Sequence, residues 1–173
     1  MDGAFMKIAV MQPYFFPYLG YFQLIDAVDT FVFLDDVAFI KRGWINRNKL
    51  AFNGSETWFT VPLSGPSQNK AIRDIQVCTR EFGPWRGKFM KSLHHYYGKS
   101  PFFRQGEQLA EEALSTASSS IADMAKKSVA ACCRLLDIAT KLCPSSSELI
   151  PAEAGFKGEE RVARICQKAE ATE

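Results

Sequence analysis

Two polar segments in the first third of the chain hold the residue types that chemistry needs. One is Gln12-Pro13-Tyr14-Phe15-Phe16-Pro17-Tyr18-Leu19-Gly20-Tyr21, where two prolines stiffen a turn and Gln12 offers a carboxamide just after an apolar run. The other opens with the carboxylates Asp35 and Asp36 and runs on through Lys41-Arg42-Gly43-Trp44-Ile45-Asn46-Arg47-Asn48-Lys49, with four cations, two amides and no acid in its last nine residues. Arginine presents a planar fork to phosphate, and an exposed indole presents a face to a sugar or a base. A carboxylate beside them serves as a general base or as a Mg2+ ligand bridged to phosphates. Successive side chains of an extended chain face opposite ways, so at most one of Asp35 and Asp36 is expected to reach a ligand or a metal directly. A purely structural reading competes with this: the rings are core, the prolines stiffen a connection, Trp44 tucks inward and an aspartate caps a turn.

Both segments need strand ends to hold them, and the pattern around them supplies these. Residues 7–11 read as a short buried strand, 17–28 as a helix with Leu19, Phe22, Ile25 and Val28 near helical spacing, and 30–34 as a second buried strand. Strand, helix, strand is the unit of a parallel sheet. Ligands of open α/β sheets bind outside the carboxyl ends of strands, where a helix N-terminus offers unpaired N–H groups.

Further along, residues 58–63 and 72–78 read as strands of an antiparallel appendage, and 84–97 as a helix burying Trp85, Phe89, Leu93 and Tyr96. Residues 106–117 form a modest helix, and Ser120 with Asp123 makes a capping-box-like start for a longer one reaching 135 or 136. The run 138–143 either continues that helix or forms a strand ended by Pro144. Residues 159–169 form a last amphipathic helix burying Val162, Ile165 and Cys166. Of the 14 Phe, 5 Tyr and 3 Trp, all but Phe156 occur by Phe103. The expected fold is therefore α/β: a mostly parallel sheet, Rossmann-like by the resemblance given below, with an antiparallel appendage and a helical C-terminal part. Residues 1–6 are a disordered lead-in. Residues 7–173 are a single domain, with an aromatic core over 7–103 and a helical cover over 104–173.

Composition excludes several classes. The 173 residues are 47% hydrophobic and 23% charged, which rules out disorder, collagen and coiled coil. A net charge of +2 provides no whole-molecule field for nucleic acid or an anionic membrane, so neither is an expected partner. No apolar run is long enough to span a bilayer, and a cytoplasmic protein is expected. The five cysteines lack framework spacing and read as free thiols. His94 and His95 are adjacent, a poor metal pair, and Cys132 and Cys133 lack a pKa-lowering environment. No metal-ligating set is assigned, and the cofactor is left open apart from Mg2+. Ser145, Ser146 and Ser147 read as a loop and helix start within reach of ligand hydroxyls. An open sheet edge makes a homo-oligomer a further expectation.

These segments resemble the WbqC-like proteins of bacterial O-antigen and other surface-polysaccharide gene clusters. Residues 11–22 resemble the opening QPxFxPxLGYF motif. Leu34-Asp35-Asp36-Val37-Ala38-Phe39 with Lys41, Trp44, Asn46, Arg47 and Asn48 resembles the LDxVQF and WxNRN run, and Ser147-Glu148-Leu149 is a weaker third match. Ala38 stands where the pattern has glutamine. Family members usually continue beyond the last helix into a Gly-rich aromatic segment, so the likeness covers about two-thirds of a typical member. A strand, a Pro-containing loop, Gly20 and a helix are also similar to the opening of nucleotidyltransferases. Leu19 and Tyr21 stand where those enzymes carry histidines, so only a Rossmann-like architecture follows.

The resemblance implies a protein of surface-polysaccharide biosynthesis that binds a sugar nucleotide and transfers a group to or from the sugar. On that reading Arg47, Arg42 and Lys41 neutralise the diphosphate and Trp44 stacks. Asn46 and Gln12 read hydroxyls, Pro13, Tyr14 and Tyr21 complete the site, and Asp36 or Asp35 is base or Mg2+ ligand. The alternatives are a non-catalytic binding or scaffold protein of the same pathway and a truncated, inactive member.

Overall fold

The computed structural model describes residues 6–52, 54–115 and 120–169. The expected lead-in therefore lies, except for Met6, outside the described residues. The first unit is β1 (Ile8–Met11), α1 (Leu19–Asp26) and β2 (Thr30–Phe33). The helix starts two residues later than its apolar spacing suggests, because Pro17 and Tyr18 complete the turn, and Tyr18 is extended at its N-cap. Two β-ribbons follow: β3 (Arg47–Phe52) with β4 (Ser55–Thr60), and β5 (Leu63–Ser64) with β6 (Gln76–Val77). Then come α2 (Thr79–Tyr97), α3 (Phe103–Ala113), α4 (Ile121–Leu135), β7 (Lys141–Cys143) and α5 (Gly158–Lys168).

β1 and β7 flank β2 in a three-stranded sheet, and both pairings are parallel. The ambiguous run before Pro144 is thus a strand. It enters the sheet at Lys141 opposite Thr30, and Cys143 ends opposite Val32. The register sets Met11 opposite Phe33, so the chain leaves β1, β2 and β7 on one edge with Gln12, Leu34-Asp35-Asp36 and Pro144-Ser145-Ser146. Alternation sorts the side chains into two faces. Ala9, Phe31 and Phe33 pack with Tyr21, Phe22 and Ile25 of α1 and with Val129 and Cys133 of α4. Val32 and Cys143 pack on the opposite face with Ile150 and Ile165, the latter from α5. The result is a mixed α/β protein with a parallel sheet between helical layers.

A separate core joins the ribbons to α2, α3 and α4 through Phe15, Phe39, Ile45, Phe59, Phe82, Phe89, Leu114 and Met124. On α2 the buried face runs Phe82, Trp85, Phe89, with Trp85 and Phe89 stacked at 5.4 Å. Tyr96, expected on that face, is exposed, while the neighbouring Tyr97 hydroxyl donates to the Ala51 carbonyl of β3. The antiparallel appendage is present with different bounds. β3 was not expected, its sequence Arg-Asn-Lys-Leu-Ala-Phe being too polar to show a strand period. The run 72–78 splits into a 3-10 turn and β6. α4 begins as its sequence requires: the Ser120 hydroxyl accepts the Asp123 N–H at 3.2 Å. Among the described residues no helix is long and apolar enough to cross a membrane.

Candidate functional site

The turn after β1 is held from several directions. The Tyr21 hydroxyl donates to the Gln12 carbonyl at 2.8 Å, and burial beside Tyr14 pushes the Tyr21 phenol far above its ordinary range. Tyr14 is raised as well, by burial first and by Tyr18 second. The Phe16 N–H donates to the Ser128 hydroxyl of α4 at 3.0 Å, and the Phe15 N–H to the Trp44 carbonyl at 3.2 Å. The Asn48 carboxamide closes the arrangement by donating to the Phe16 carbonyl. The two polar segments are therefore one assembly.

Its second half is braced by its own polar side chains. Asn46 is buried and donates to the Val61 carbonyl at 3.0 Å. Arg47 donates through Nε to the Gly43 carbonyl at 3.1 Å and through Nη2 to the Arg42 carbonyl, and its guanidinium lies 4.2 Å from the Trp58 ring centre. Trp44 packs on the same ring at 5.4 Å and is 43% exposed.

Asp35 and Asp36, just beyond the end of β2, each meet a different part of the C-terminal half. Asp35 Oδ2 pairs with Lys126 Nζ of α4 at 2.6 Å, while Oδ1 accepts the Ser145 hydroxyl at 2.6 Å. Asp36 Oδ1 accepts from the Ser146 hydroxyl at 2.7 Å and from Arg161 Nε at 3.1 Å, and Oδ2 accepts Arg161 Nη2. Arg161 also donates to the Ile150 carbonyl at 2.8 Å. The Asp36 carboxylate is fully buried and Arg161 nearly so. A Mg2+ at either aspartate would have to displace a cation already bound there, so these carboxylates do not suit the metal.

Lys126, Ser145, Ser146 and Arg161 are the residues that sequence reasoning missed in this role. One signal was available: Arg161 stands four residues before Ile165, on the stripe that α5 buries.

A cleft of about 1080 Å³ opens at the carboxyl ends of β1 and β2, walled by Gln12, Asp36 and Ile40 on one side and by Phe156, Lys157 and Val162 on the other. Gly155 and Gly158 line it with φ of 79° and 54°, left-handed values that glycine takes without a Cβ penalty. They turn the chain so that the first turn of α5 borders the opening. A smaller cavity of about 300 Å³ has Lys41, Arg42, Asn46 and Arg47 on its polar side and Phe39, Val61, Pro62, Leu63 and Pro66 among its apolar lining. The expected site residues are thus divided. Gln12 and Asp36 border the cleft, and the basic residues border the other cavity. Pro13, Tyr21 and Asp35 are buried, and Tyr14 lies half-buried between the two cores. The strip 37–41 separates the two openings, with Val37, Ala38 and Ile40 on the cleft and Phe39 and Lys41 on the cavity. Cys132 and Cys133 contribute no thiolate near neutrality, since burial pushes Cys132 up to about 11 and raises Cys133.

A parallel α/β protein with a ligand-sized cleft at its carboxyl strand ends, bordered by a Gln-Pro turn and a buried Asp-Arg pair, is the class these observations define. The chain belongs to the WbqC-like protein family, which it matches over residues 12–173, from the first residue of that turn onward. It is also 30% identical over 170 residues to Rv1507c of Mycobacterium tuberculosis (strain ATCC 25618 / H37Rv), described as an uncharacterized protein. That similarity covers 96% of this chain and 70% of the relative. No solved structure matches the chain.

Proposed function

We propose that the protein binds a nucleotide-activated sugar in the cleft at the carboxyl ends of β1 and β2. On this reading it serves in bacterial surface-polysaccharide biosynthesis, O-antigen included, where a group is transferred to or from that sugar. The observation that carries the reading is the position of the cleft, where parallel α/β sheets take their ligands. Gln12 offers a carboxamide to sugar hydroxyls, and the Phe156 ring with Ile40 and Val162 offers apolar walls to a ring. Lys157 and the first turn of α5, whose N–H groups have no side-chain cap among the described residues, offer donors to a phosphate, with Glu159 and Glu160 of the same turn favouring a position nearer Lys157. Asp36 acts as a positioning residue, holding Arg161 and through it the helix that forms one wall.

A specific observation favours a second reading, a binding or scaffold protein of the same pathway without chemistry. Both carboxylates expected as bases are already neutralised, Asp35 by Lys126 and Asp36 by Arg161. Glu159, exposed at the rim of the cleft and without an ion-pair partner among the described residues, is the carboxylate still open to a substrate.

A thermal-shift screen against nucleotides and nucleotide sugars, run beside Gln12→Ala and Val162→Trp, tests the proposal. A ligand at 100 times its dissociation constant adds about 2.7 kcal/mol, which at this size raises the midpoint by roughly 5 to 10 °C. A shift of that order, abolished when Val162→Trp fills the cleft, supports the site. A melt that no nucleotide sugar moves overturns it. Product formation followed by NMR then separates the enzyme from the binding protein.

A further inference from the structure

Beyond the cleft, we infer that the cavity formed by Lys41, Arg42 and Arg47 is a second ligand site, one that holds the phosphoryl group of a small anion. Local structure brings the three cationic residues to the border of one cavity. Ile40 to Gly43 is a tight turn closed by the Gly43 N–H on the Ile40 carbonyl at 3.3 Å, with Lys41 and Arg42 at its corner. Arg47 opens β3 opposite Thr60 and reaches back to the Gly43 and Arg42 carbonyls. The floor is the Asn46–Val61 pairing, in which the Asn46 side chain donates to the Val61 carbonyl and the Val61 N–H to the Asn46 carbonyl at 2.8 Å.

Three features point to an anion. None of the three cations has an acidic partner: the ion pairs among the described residues join Lys49 to Glu56, His94 to Glu107, Lys126 to Asp35, Arg134 to Glu112 and Arg161 to Asp36. Like charges packed around one cavity repel, and an anion relieves that repulsion. Arg47 keeps Nη1 free of any hydrogen bond among the described residues, so part of its fork is left to present to phosphate. Arg42 holds φ at 61°, a conformation that favours glycine, yet a long cationic side chain stands there. The turn so formed sets Arg42 beside Lys41 on the border of the cavity. The cavity has the volume for a phosphate and a small substituent. It lies across the strip 37–41 from the cleft, so its ligand is separate from the one proposed there.

The test uses the strain. Arg42→Gly removes the cation while relieving φ, and keeps the carbonyl that Arg47 grips, so the fold survives. Inorganic phosphate, pyrophosphate and glucose 1-phosphate are titrated calorimetrically into the full chain at constant ionic strength, with sodium chloride as the control. Arg42→Gly and Lys41→Gln are run alongside, together with Lys88→Gln on the exposed side of α2. Saturable binding of at least one probe is expected. It weakens about tenfold or more in Arg42→Gly and again in Lys41→Gln, the loss of one charge-assisted hydrogen bond each, and is unchanged in Lys88→Gln. A preference for glucose 1-phosphate over inorganic phosphate identifies an organic phosphate, and the reverse a free one. No saturable binding by any probe, or binding that survives both substitutions, overturns the inference. Val162→Trp should leave this binding intact, so failure here and failure of the cleft proposal are distinguishable.

Discussion

Asp36 and Arg161, 125 residues apart in the chain, form a two-point carboxylate–guanidinium pair with the carboxylate fully buried. The pair fastens α5 to the carboxyl end of β2, and the Ser146 hydroxyl adds a third bond to the same carboxylate. Asp35 makes the matching connection to α4 through Lys126. Two adjacent residues therefore lock both helical layers to the one sheet edge where the cleft opens. The fold and the cleft wall depend on the same two side chains.

Removing one member of such a pair leaves a buried charge without its partner, which costs about 3–5 kcal/mol. Asp36→Asn should accordingly lower the melting midpoint by roughly 6–20 °C. The double variant Asp36→Asn with Arg161→Met removes both charges and should recover part of that loss. A double-mutant cycle by thermal denaturation checks this. Strictly additive losses would show that the two side chains are not coupled.

Asn48 ties the Gln-Pro turn to β3 through the Phe16 carbonyl. Asn48→Ala leaves that carbonyl unsatisfied in a half-buried place, at a cost of about 1–3 kcal/mol. Hydrogen exchange should show the effect concentrated in residues 14–16 and 46–48. Uniform loss of protection across the chain would argue against so local a role.

The end of α4 carries a correctable strain. Asp137 sits at φ 55°, its N–H on the Arg134 carbonyl and the next N–H, from Ile138, on the Cys133 carbonyl at 3.0 Å. That is a Schellman ending with aspartate where glycine is preferred, and with a negative charge at the negative end of the helix. Asp137→Gly should stabilise the protein by about 0.5–1 kcal/mol, seen as a rise of roughly 1–4 °C in the melting midpoint. A fall would mean that the aspartate has a stabilising partner.

Much of this could be read from residue order, and the limits follow from distance. The first β-α-β unit was legible because Leu19, Phe22 and Ile25 recur at helical spacing between two short apolar runs. The α4 start was legible because Ser120 and Asp123 meet within one turn. β3 was not, since Arg47 turns back to its own loop, Asn48 reaches the distant Gln-Pro turn, Lys49 is exposed, and only pairing with β4 makes them a strand. The role of Asp36 was hidden for a related reason. A carboxylate followed by cations five to eleven residues later reads as a ligand site. The cation it chose lies in the last helix, and no local pattern announces a partner at that separation. The basic cluster itself was visible, but its placement across a strip from Gln12 required the fold.

Cys132 gives a pH prediction. Burial and the neighbouring Cys133 raise its thiol from an ordinary 9 to about 11 in the folded chain. The folded state then holds a proton that the unfolded state releases, so stability is fully present below pH 9 and falls as pH rises from about 9 to 11. Cys132→Ala should flatten that alkaline decline in urea melts, and Cys132 of the parent should resist alkylation at pH 8 until unfolded, as peptide mapping would read. Rapid alkylation of folded protein at Cys132 would show that the thiol is neither buried nor raised.

Ala38 lines the cleft beside Val37 and Ile40, is exposed, and is held by its backbone bridge to Ala71. The family pattern that this segment resembles has glutamine there. Its backbone geometry places no demand on the side chain, so Ala38→Gln should leave the melting midpoint within the change expected of about 0.5 kcal/mol. A second carboxamide would then face the same opening as Gln12. If the cleft holds a nucleotide sugar, one added neutral hydrogen bond of about 0.5–1.5 kcal/mol tightens it roughly two- to twelvefold, as a calorimetric titration of both proteins would read. Unchanged affinity in a variant of unchanged stability would place the sugar away from the wall formed by residues 37–40, and so nearer to Phe156 and the first turn of α5.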